Sequence, residues 1–108
     1  MLSGLRIVWL LCMFDLPVTE ADERRDAADF RLGLLDQGFL MAQFSVYLKY
    51  CPSRAAADAV MKRIERILPE GGRVDILVIT DKQYGEIKSY RRRVGQPPKT
   101  GPEQFVLI

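Results

Sequence analysis

An uninterrupted apolar run near the start of the chain constrains the fold more than any other feature. Residues 7–14 read Ile-Val-Trp-Leu-Leu-Cys-Met-Phe, and Asp15, Leu16 and Pro17 follow. The run is rich in residues that favour strands, and it is far shorter than the ~20 residues that cross a bilayer. Proline cannot continue a sheet ladder because it lacks the N–H group. The run therefore predicts a central strand that is covered on both faces.

A helical pattern follows this strand. Thr19, with Asp22 three residues later, is typical of a helix cap, and the pattern continues to Gly38, a residue suited to the left-handed position just after a helix. We therefore predict a first helix over residues 20–37.

The middle and the later part of the chain hold three further segments. Residues 40–50 are strand-like but long for one strand, so they form either a single strand or a hairpin with its turn at 43–45. Pro52 and Ser53 introduce a second helix, which the Pro-Glu-Gly-Gly sequence ends. Residues 73–80 read as another strand.

With a hairpin in the middle, this order is the split β-α-β pattern of an α+β, ferredoxin-like βαββαβ fold. Its helices cover one face of the sheet, and strongly apolar strands indicate that something also covers the other face. We assign residues 1–90 to this domain and 91–108 to a linker and an extra C-terminal strand. The apolar end, 104–108, needs a sheet edge within its own subunit or in a second one.

Composition excludes several classes of function. The 108 residues suffice for one core, and a net charge of +2 is too weak to indicate nucleic-acid binding by itself. The chain has no histidine, which excludes Ser-His and Cys-His catalysis and histidine metal sites. Two cysteines are too few for a zinc site, so we expect reduced thiols that behave as small apolar side chains. Without a targeting pattern, we expect a cytoplasmic protein.

Asp15 is the first candidate for a functional residue. It ends an otherwise apolar strand, and ligands of open sheets tend to bind at the carboxyl ends of strands. The alternative is that Asp15 only hydrogen-bonds the turn at Leu16 and Pro17, as Asp often does beside proline. One carboxylate makes a poor magnesium site, but a dimer axis near Asp15 would supply a second copy.

Arginines supply the second set of candidates. Placed at 100° per residue, Arg24 and Arg31 fall within a broad apolar face of the first helix, where guanidinium groups need partners. They either extend to water or pair with an acid such as Asp15, or they contact phosphate oxygens. The run Arg91–Arg93 is either a solvated surface segment or a contact to a nucleic-acid backbone. We expect the four tyrosines to be core or edge residues.

An ordered set of motifs resembles the CRISPR-associated Cas2 family, in a form similar to that of type II systems. The match runs in order from about Leu5 to Tyr90, and residues 105–107 resemble the last strand of the family. The motifs are Met13-Phe14-Asp15-Leu16-Pro17-Val18, Arg24, Phe30-Arg31, Leu35, Gly38-Phe39, Gln43-Phe44-Ser45-Val46-Tyr47 and Thr80-Asp81-Lys82-Gln83.

The resemblance implies a homodimer whose sheets face one another, with the C-terminal strand crossing to the partner. It implies a role in spacer acquisition, in which the dimer bridges Cas1 integrase dimers and binds a DNA duplex. It also implies a Mg²⁺-dependent endoribonuclease or deoxyribonuclease activity, with Asp15 as the catalytic and metal-binding residue. Arg24, Arg31 and Ser45 would contact nucleic acid. A toxin-like ribonuclease or a small-ligand-binding ferredoxin-like domain is the alternative.

Overall fold

A four-stranded antiparallel sheet forms the frame of the protein. The computed structural model describes residues 6–92 and 95. The elements within them are β1 (Val8–Asp15), α1 (Ala21–Asp36), β2 (Leu40–Gln43), β3 (Val46–Cys51), α2 (Arg54–Glu65), β4 (Arg73–Thr80) and α3 (Asp81–Gly85). The strand order is β2-β3-β1-β4, which confirms the predicted ferredoxin-like arrangement with β1 as a central strand.

β1 pairs antiparallel with both of its neighbours. Its partners on β4 run from Val8 opposite Thr80 to Asp15 opposite Arg73, so β1 and β4 pair over their whole length. On the other side, β3 pairs with residues 8–13 of β1. Because side chains alternate along a strand, successive residues of the apolar run belong to opposite faces of the sheet.

α1 begins one residue later than the predicted cap implies. Glu20, and not Thr19, is the N-cap: its side chain accepts from the backbone N–H of Glu23, whose carboxylate accepts from the N–H of Glu20 at 2.8 Å. This capping box satisfies two N–H groups that the first turn leaves without helical partners, which explains why the helix begins there. Gly38, at a φ of 91°, ends the helix as predicted.

The segment after α1 is a hairpin, as the sequence analysis allowed. β2 and β3 are joined by Phe44 and Ser45, and Ser45 has a left-handed φ of 61°. The ladder shifts register between Met41 and Gln43, next to the turn. The N–H group of Phe14 donates to the carbonyl of Ser45 at 3.0 Å, which ties the tip of the hairpin to the end of β1.

α1 and α2 cover one face of the sheet, which we call the helix-covered face. α2 is capped by the Ser53 hydroxyl, which accepts from the N–H of Ala56 at 3.0 Å. Both cysteines are free and buried in this layer, as predicted, and burial raises the pKa of Cys12 to about 11. The residues that form this core are Val8, Leu10, Cys12, Phe30, Leu34, Phe39, Tyr47, Cys51, Ala57, Val60 and Ile64.

The opposite face, which we call the open face, is also apolar but less buried. Trp9 is half-buried under α3: its Nε1 donates to Asp81 at 2.9 Å, and its ring stacks on Tyr84 with centroids 3.8 Å apart. Leu77 is 48% exposed and Tyr50 47%. The prediction that β1 is covered on both faces is thus met by α1 and α2 on one face and only in part on the other, where α3 covers Trp9. No helix within the described residues could span a membrane.

Candidate functional site

A shallow depression of about 460 Å³ surrounds Asp15 at the end of the central strand. Asp15 is exposed, and alternation along β1 places it on the open face with Met13, while Phe14 turns toward the helices and contacts Phe30. The residues that line the depression are Met13, Phe14, Asp15, Phe44, Ser45, Val46, Arg73 and Asp75. The sheet therefore brings residues from β1, β4 and the hairpin tip to one place.

Within the described residues, the Asp15 carboxylate has no hydrogen bond or ion pair, either to the turn at Leu16 and Pro17 or to an arginine. Arg73 lies opposite Asp15 in the β1–β4 register but donates through Nε to Asp75, at 3.0 Å and 3.2 Å from the two carboxylate oxygens. The carboxylate of Asp15 is therefore available to a ligand, and a positive side chain lies beside it.

A divalent cation would find few ligands here in a single chain. Asp15 supplies one uncommitted carboxylate, and Asp75 is paired with Arg73. The described residues contain no group of three or more side chains that could hold a metal ion. A magnesium ion needs one or two carboxylates with phosphates and waters, so the donor set fits only with oxygens from a second copy of the chain or from a phosphate.

Arg24 and Arg31 are exposed, so their predicted place on the buried face of α1 was wrong. The buried stripe is narrower and consists of Ala27, Phe30 and Leu34. The prediction counted Leu32 and Leu35 as part of the buried face, but they are 59% and 45% exposed. Including them made the predicted buried face too broad, so that it took in Arg24 and Arg31.

Arg24 nonetheless has two partners in the backbone. Its Nη1 donates to the carbonyl of Thr19 at 2.7 Å and to that of Val18 at 3.2 Å. These two contacts fix the guanidinium over the loop before α1, while the group stays exposed to solvent. Arg91 and Arg92 are also exposed, whereas Arg93 and the predicted strand at 104–108 lie outside the described residues.

Sequence reasoning missed three residues of the depression. Arg73 and Asp75 enter it only because β4 pairs with β1 in a particular register, and no local signal gives that register. Phe44 was noted only as part of a motif, yet its side chain is 90% exposed beside Ser45 and Asp15. A sequence signal did exist for Phe44, since a large apolar residue at the tip of a hairpin turn is unusual.

The sequence of this chain is similar to those of proteins in a known family. The family model described as "CRISPR associated protein Cas2" matches residues 8–87. A protein of Paracidovorax avenae named "CRISPR-associated endoribonuclease Cas2" is 49% identical over 108 residues, all of both chains. A protein of the same name from Parvibaculum lavamentivorans is 41% identical over 101 residues, which cover 94% of this chain and all of the relative.

A solved structure described as "Crystal structure of cas2" shares the fold. Its TM-score is 0.53 at 19% sequence identity, and the match covers 93% of this chain and 99% of the other. At that identity the likeness concerns the fold alone, and the family assignment comes from the sequence matches. An apolar central strand ending at Asp15, a ferredoxin-like sheet and these matches lead to one conclusion: the chain belongs to the CRISPR associated protein Cas2 family.

Proposed function

We propose that this protein acts in CRISPR spacer acquisition as a homodimer that bridges Cas1 integrase dimers and binds duplex DNA. The observation that carries the proposal is the apolar open face. Leu77 is 48% exposed on this face, whereas Leu10 and Cys12, on the helix-covered face, have no exposed surface. Exposed apolar surface favours association by roughly 25 cal/mol for each Å² that is removed from water.

A second copy of the chain suits this surface. In a two-fold dimer the same patch serves both subunits, so an apolar sheet meets an apolar sheet without a further partner. The two-fold axis would also pair features that occur once in each chain, Asp15 among them. The C-terminal strand expected at 104–108 would add backbone hydrogen bonds at a sheet edge of the partner.

Two exposed arginines on α1 are suited to contact the phosphates of DNA. Arg24 and Arg31 are exposed and seven residues apart on α1, which places them about 10 Å from one another along the helix axis. Arg24 is already oriented by the carbonyls of Val18 and Thr19, so little side-chain freedom is lost when it meets a phosphate. Contacts of this type bind a duplex without reading its sequence.

The test is a titration of the purified protein with the Cas1 integrase of the same system and a short duplex. We expect a stable ternary complex, and we expect the Arg24→Ala/Arg31→Ala variant to bind the duplex less tightly. The slope of log K against log salt should fall by about 1.8 in magnitude, because each lost phosphate contact removes about 0.9. Arg54→Ala, on α2, is the control and should change neither quantity. An unchanged slope in the double variant, or no complex with Cas1, contradicts the proposal.

A metal-dependent nuclease is the second candidate function, and the free carboxylate of Asp15 beside Arg73 favours it. The two relatives above carry the name endoribonuclease. A bound Mg²⁺ ion would activate a water molecule and stabilise charge on a phosphodiester. Asp15 of each subunit would hold the ion, Arg73 would bind the phosphate, and Ser45, in the turn beside them, would help to position the strand.

Cleavage of RNA and DNA with Mg²⁺, measured with the unmodified protein and with Asp15→Asn, tests this activity. We expect cleavage to disappear in the variant and in the presence of chelator, while the complex with Cas1 and duplex still forms. Asp29→Asn, an exposed carboxylate on α1, is the control and should cleave normally. Cleavage that persists in Asp15→Asn excludes Asp15 as the catalytic residue. Membership of the Cas2 family favours these two functions over a toxin-like or small-ligand-binding role.

A further inference from the structure

The depression beside Asp15 combines three chemically different groups. Asp15 brings a carboxylate, Arg73 a guanidinium and Phe44 an aromatic ring, and all three line the same depression of about 460 Å³. Phe44 is 90% exposed, the most exposed of the large apolar side chains in the described part of the chain.

The Phe44 ring projects from an anchored turn. The next residue, Ser45, is held at a left-handed φ of 61°, and its carbonyl accepts from the N–H of Phe14 at 3.0 Å. That hydrogen bond fastens the tip of the hairpin to the strand that carries Asp15. A ring held in this way loses little chain freedom when a flat ligand stacks on it, so it is prepared for such contact.

Arg73 is oriented by Asp75, but most of its hydrogen-bond donors remain available. Its side chain is 79% exposed, and the contacts to Asp75 occupy the Nε–H bond. A guanidinium has four more N–H bonds on its Nη atoms, and their planar arrangement suits a phosphate. An exposed ion pair of this type contributes little stability, so Asp75 acts mainly to position the side chain.

We infer that the depression is a binding subsite for one unstacked nucleotide of a single strand, with Phe44 stacked on the base and Arg73 on a phosphate. The inference deepens the proposed nucleic-acid-binding function and rests on it. A base in a duplex already stacks on both sides, so it cannot also stack on Phe44. A single-stranded region of RNA or DNA offers both a free base face and a phosphate.

The test measures binding of short single-stranded RNA and DNA of one mixed sequence to the full-length protein, by fluorescence anisotropy with EDTA present to prevent cleavage. Phe44→Ala should weaken binding about tenfold, as expected for the loss of one stacked base. Phe44→Trp should bind at least as tightly as the unmodified protein. Phe44→Leu, which keeps apolar volume without a ring, should bind nearly as weakly as Phe44→Ala. Binding by RNA, by DNA or by both supports the inference, and the two arms show which strand the subsite accepts.

Two further measurements make the test specific. In the first, each base of the oligonucleotide is removed in turn. At one abasic position the unmodified protein and Phe44→Ala should bind the oligonucleotide with equal affinity, because the base that stacks on Phe44 is missing. Arg73→Ala should lower the salt slope by about 0.7, the value for one phosphate of a single strand. Leu32→Ala, which removes a 59% exposed leucine from α1, is the matched control and should change neither quantity.

Several results would overturn the inference. The first two are a Phe44→Ala variant that binds the single strand as tightly as the unmodified protein, and a Phe44→Leu variant that keeps full affinity. The third is a Phe44→Ala variant that loses as much affinity for a duplex as for a single strand. The fourth is dissociation of the dimer by Phe44→Ala, seen in sedimentation. The last result would mean that the ring packs against protein. The complex with Cas1 and the cleavage activity of Asp15→Asn are measured in separate experiments. A negative result there would contradict the proposed functions, whereas a negative result in the binding assay would contradict only the subsite.

Discussion

The two faces of the sheet are built from alternate residues of the same apolar run, yet in the part of the chain that the structure describes α1 and α2 cover only one of them. Leu10 and Cys12, on the helix-covered face, have no exposed surface. Leu11 and Met13, their immediate neighbours on the open face, are half-buried. The apolar character of a strand therefore predicts that it will be covered on both faces, but it does not identify the molecule that covers each face.

The two faces also depend on different thermodynamic terms. α1 and α2 belong to the same chain as the strands they cover, so the helix-covered face forms at any protein concentration. Coverage of the open face by a second copy is an association, and it therefore depends on protein concentration. Substitutions on the helix-covered face should lower the stability of the fold, and those on the open face should lower the affinity between subunits.

The largest change in free energy should come from a substitution on the helix-covered face. Phe30, 1% exposed, lies on α1 and contacts Phe14 across the layer. Phe30→Ala should lower the free energy of unfolding by about 3–5 kcal/mol, because it removes buried surface and leaves a cavity. Urea denaturation at fixed protein concentration measures the change. Leu32→Ala on the same helix is the control, with an expected loss below about 0.5 kcal/mol. A loss below about 1 kcal/mol for Phe30→Ala would show that this layer is not the main core.

A charge on the open face should separate the subunits. Leu77 lies on the edge strand β4, opposite Leu11 on the open face, and burial of a carboxylate there costs free energy that no partner recovers. We expect Leu77→Asp to raise the dimer dissociation constant about 100-fold, or about 2.7 kcal/mol, in sedimentation equilibrium. Leu35→Asp, equally exposed at 45% but on α1, should leave the dimer intact. Equal effects of the two variants, or a monomeric unmodified protein, would remove the open face as the dimer interface.

A smaller effect should appear at high pH, from the thiol of Cys12. Burial raises the pKa of this thiol from 9.0 to about 11, so the unfolded chain loses the proton first as the pH rises. The contribution of Cys12 to stability is therefore complete below about pH 9 and is lost between about pH 9 and 11. Between pH 8 and 11 the unmodified protein should lose about 2 kcal/mol more stability than Cys12→Ala does. Parallel pH profiles for the two proteins would show that the thiol does not titrate differently on unfolding.

Most of the fold could be predicted from the sequence because its signals are local. The run at residues 7–14, the strand at 73–80 and the break at Pro52 and Ser53 each depend on neighbouring residues, and all three predictions are confirmed. The hairpin was one of two alternatives, since local signals do not distinguish it from a single strand. The short helix α3 was not anticipated, although Thr80 and Gln83 form a capping box at its start.

The candidate site was less predictable because it depends on contacts between distant segments. Asp15 was identified from its place at a strand end, but its neighbours Arg73 and Asp75 follow from the pairing of β4 with β1. The burial of α1 was misjudged because helical spacing alone does not reveal which leucines face the sheet, and Leu32 and Leu35 do not. Pairing register and the direction of a helix face are tertiary properties, and they account for most of what the sequence analysis missed.

The cluster around Trp9 gives the protein a built-in optical reporter. The chain has one tryptophan, so its fluorescence comes from a single place. That indole is half-buried on the open face, where it donates to Asp81 and stacks on Tyr84. Dilution of a dimer closed over this face should hydrate the indole and shift its emission to longer wavelength. Dissociation of such a dimer would therefore be followed in real time, without attaching a dye.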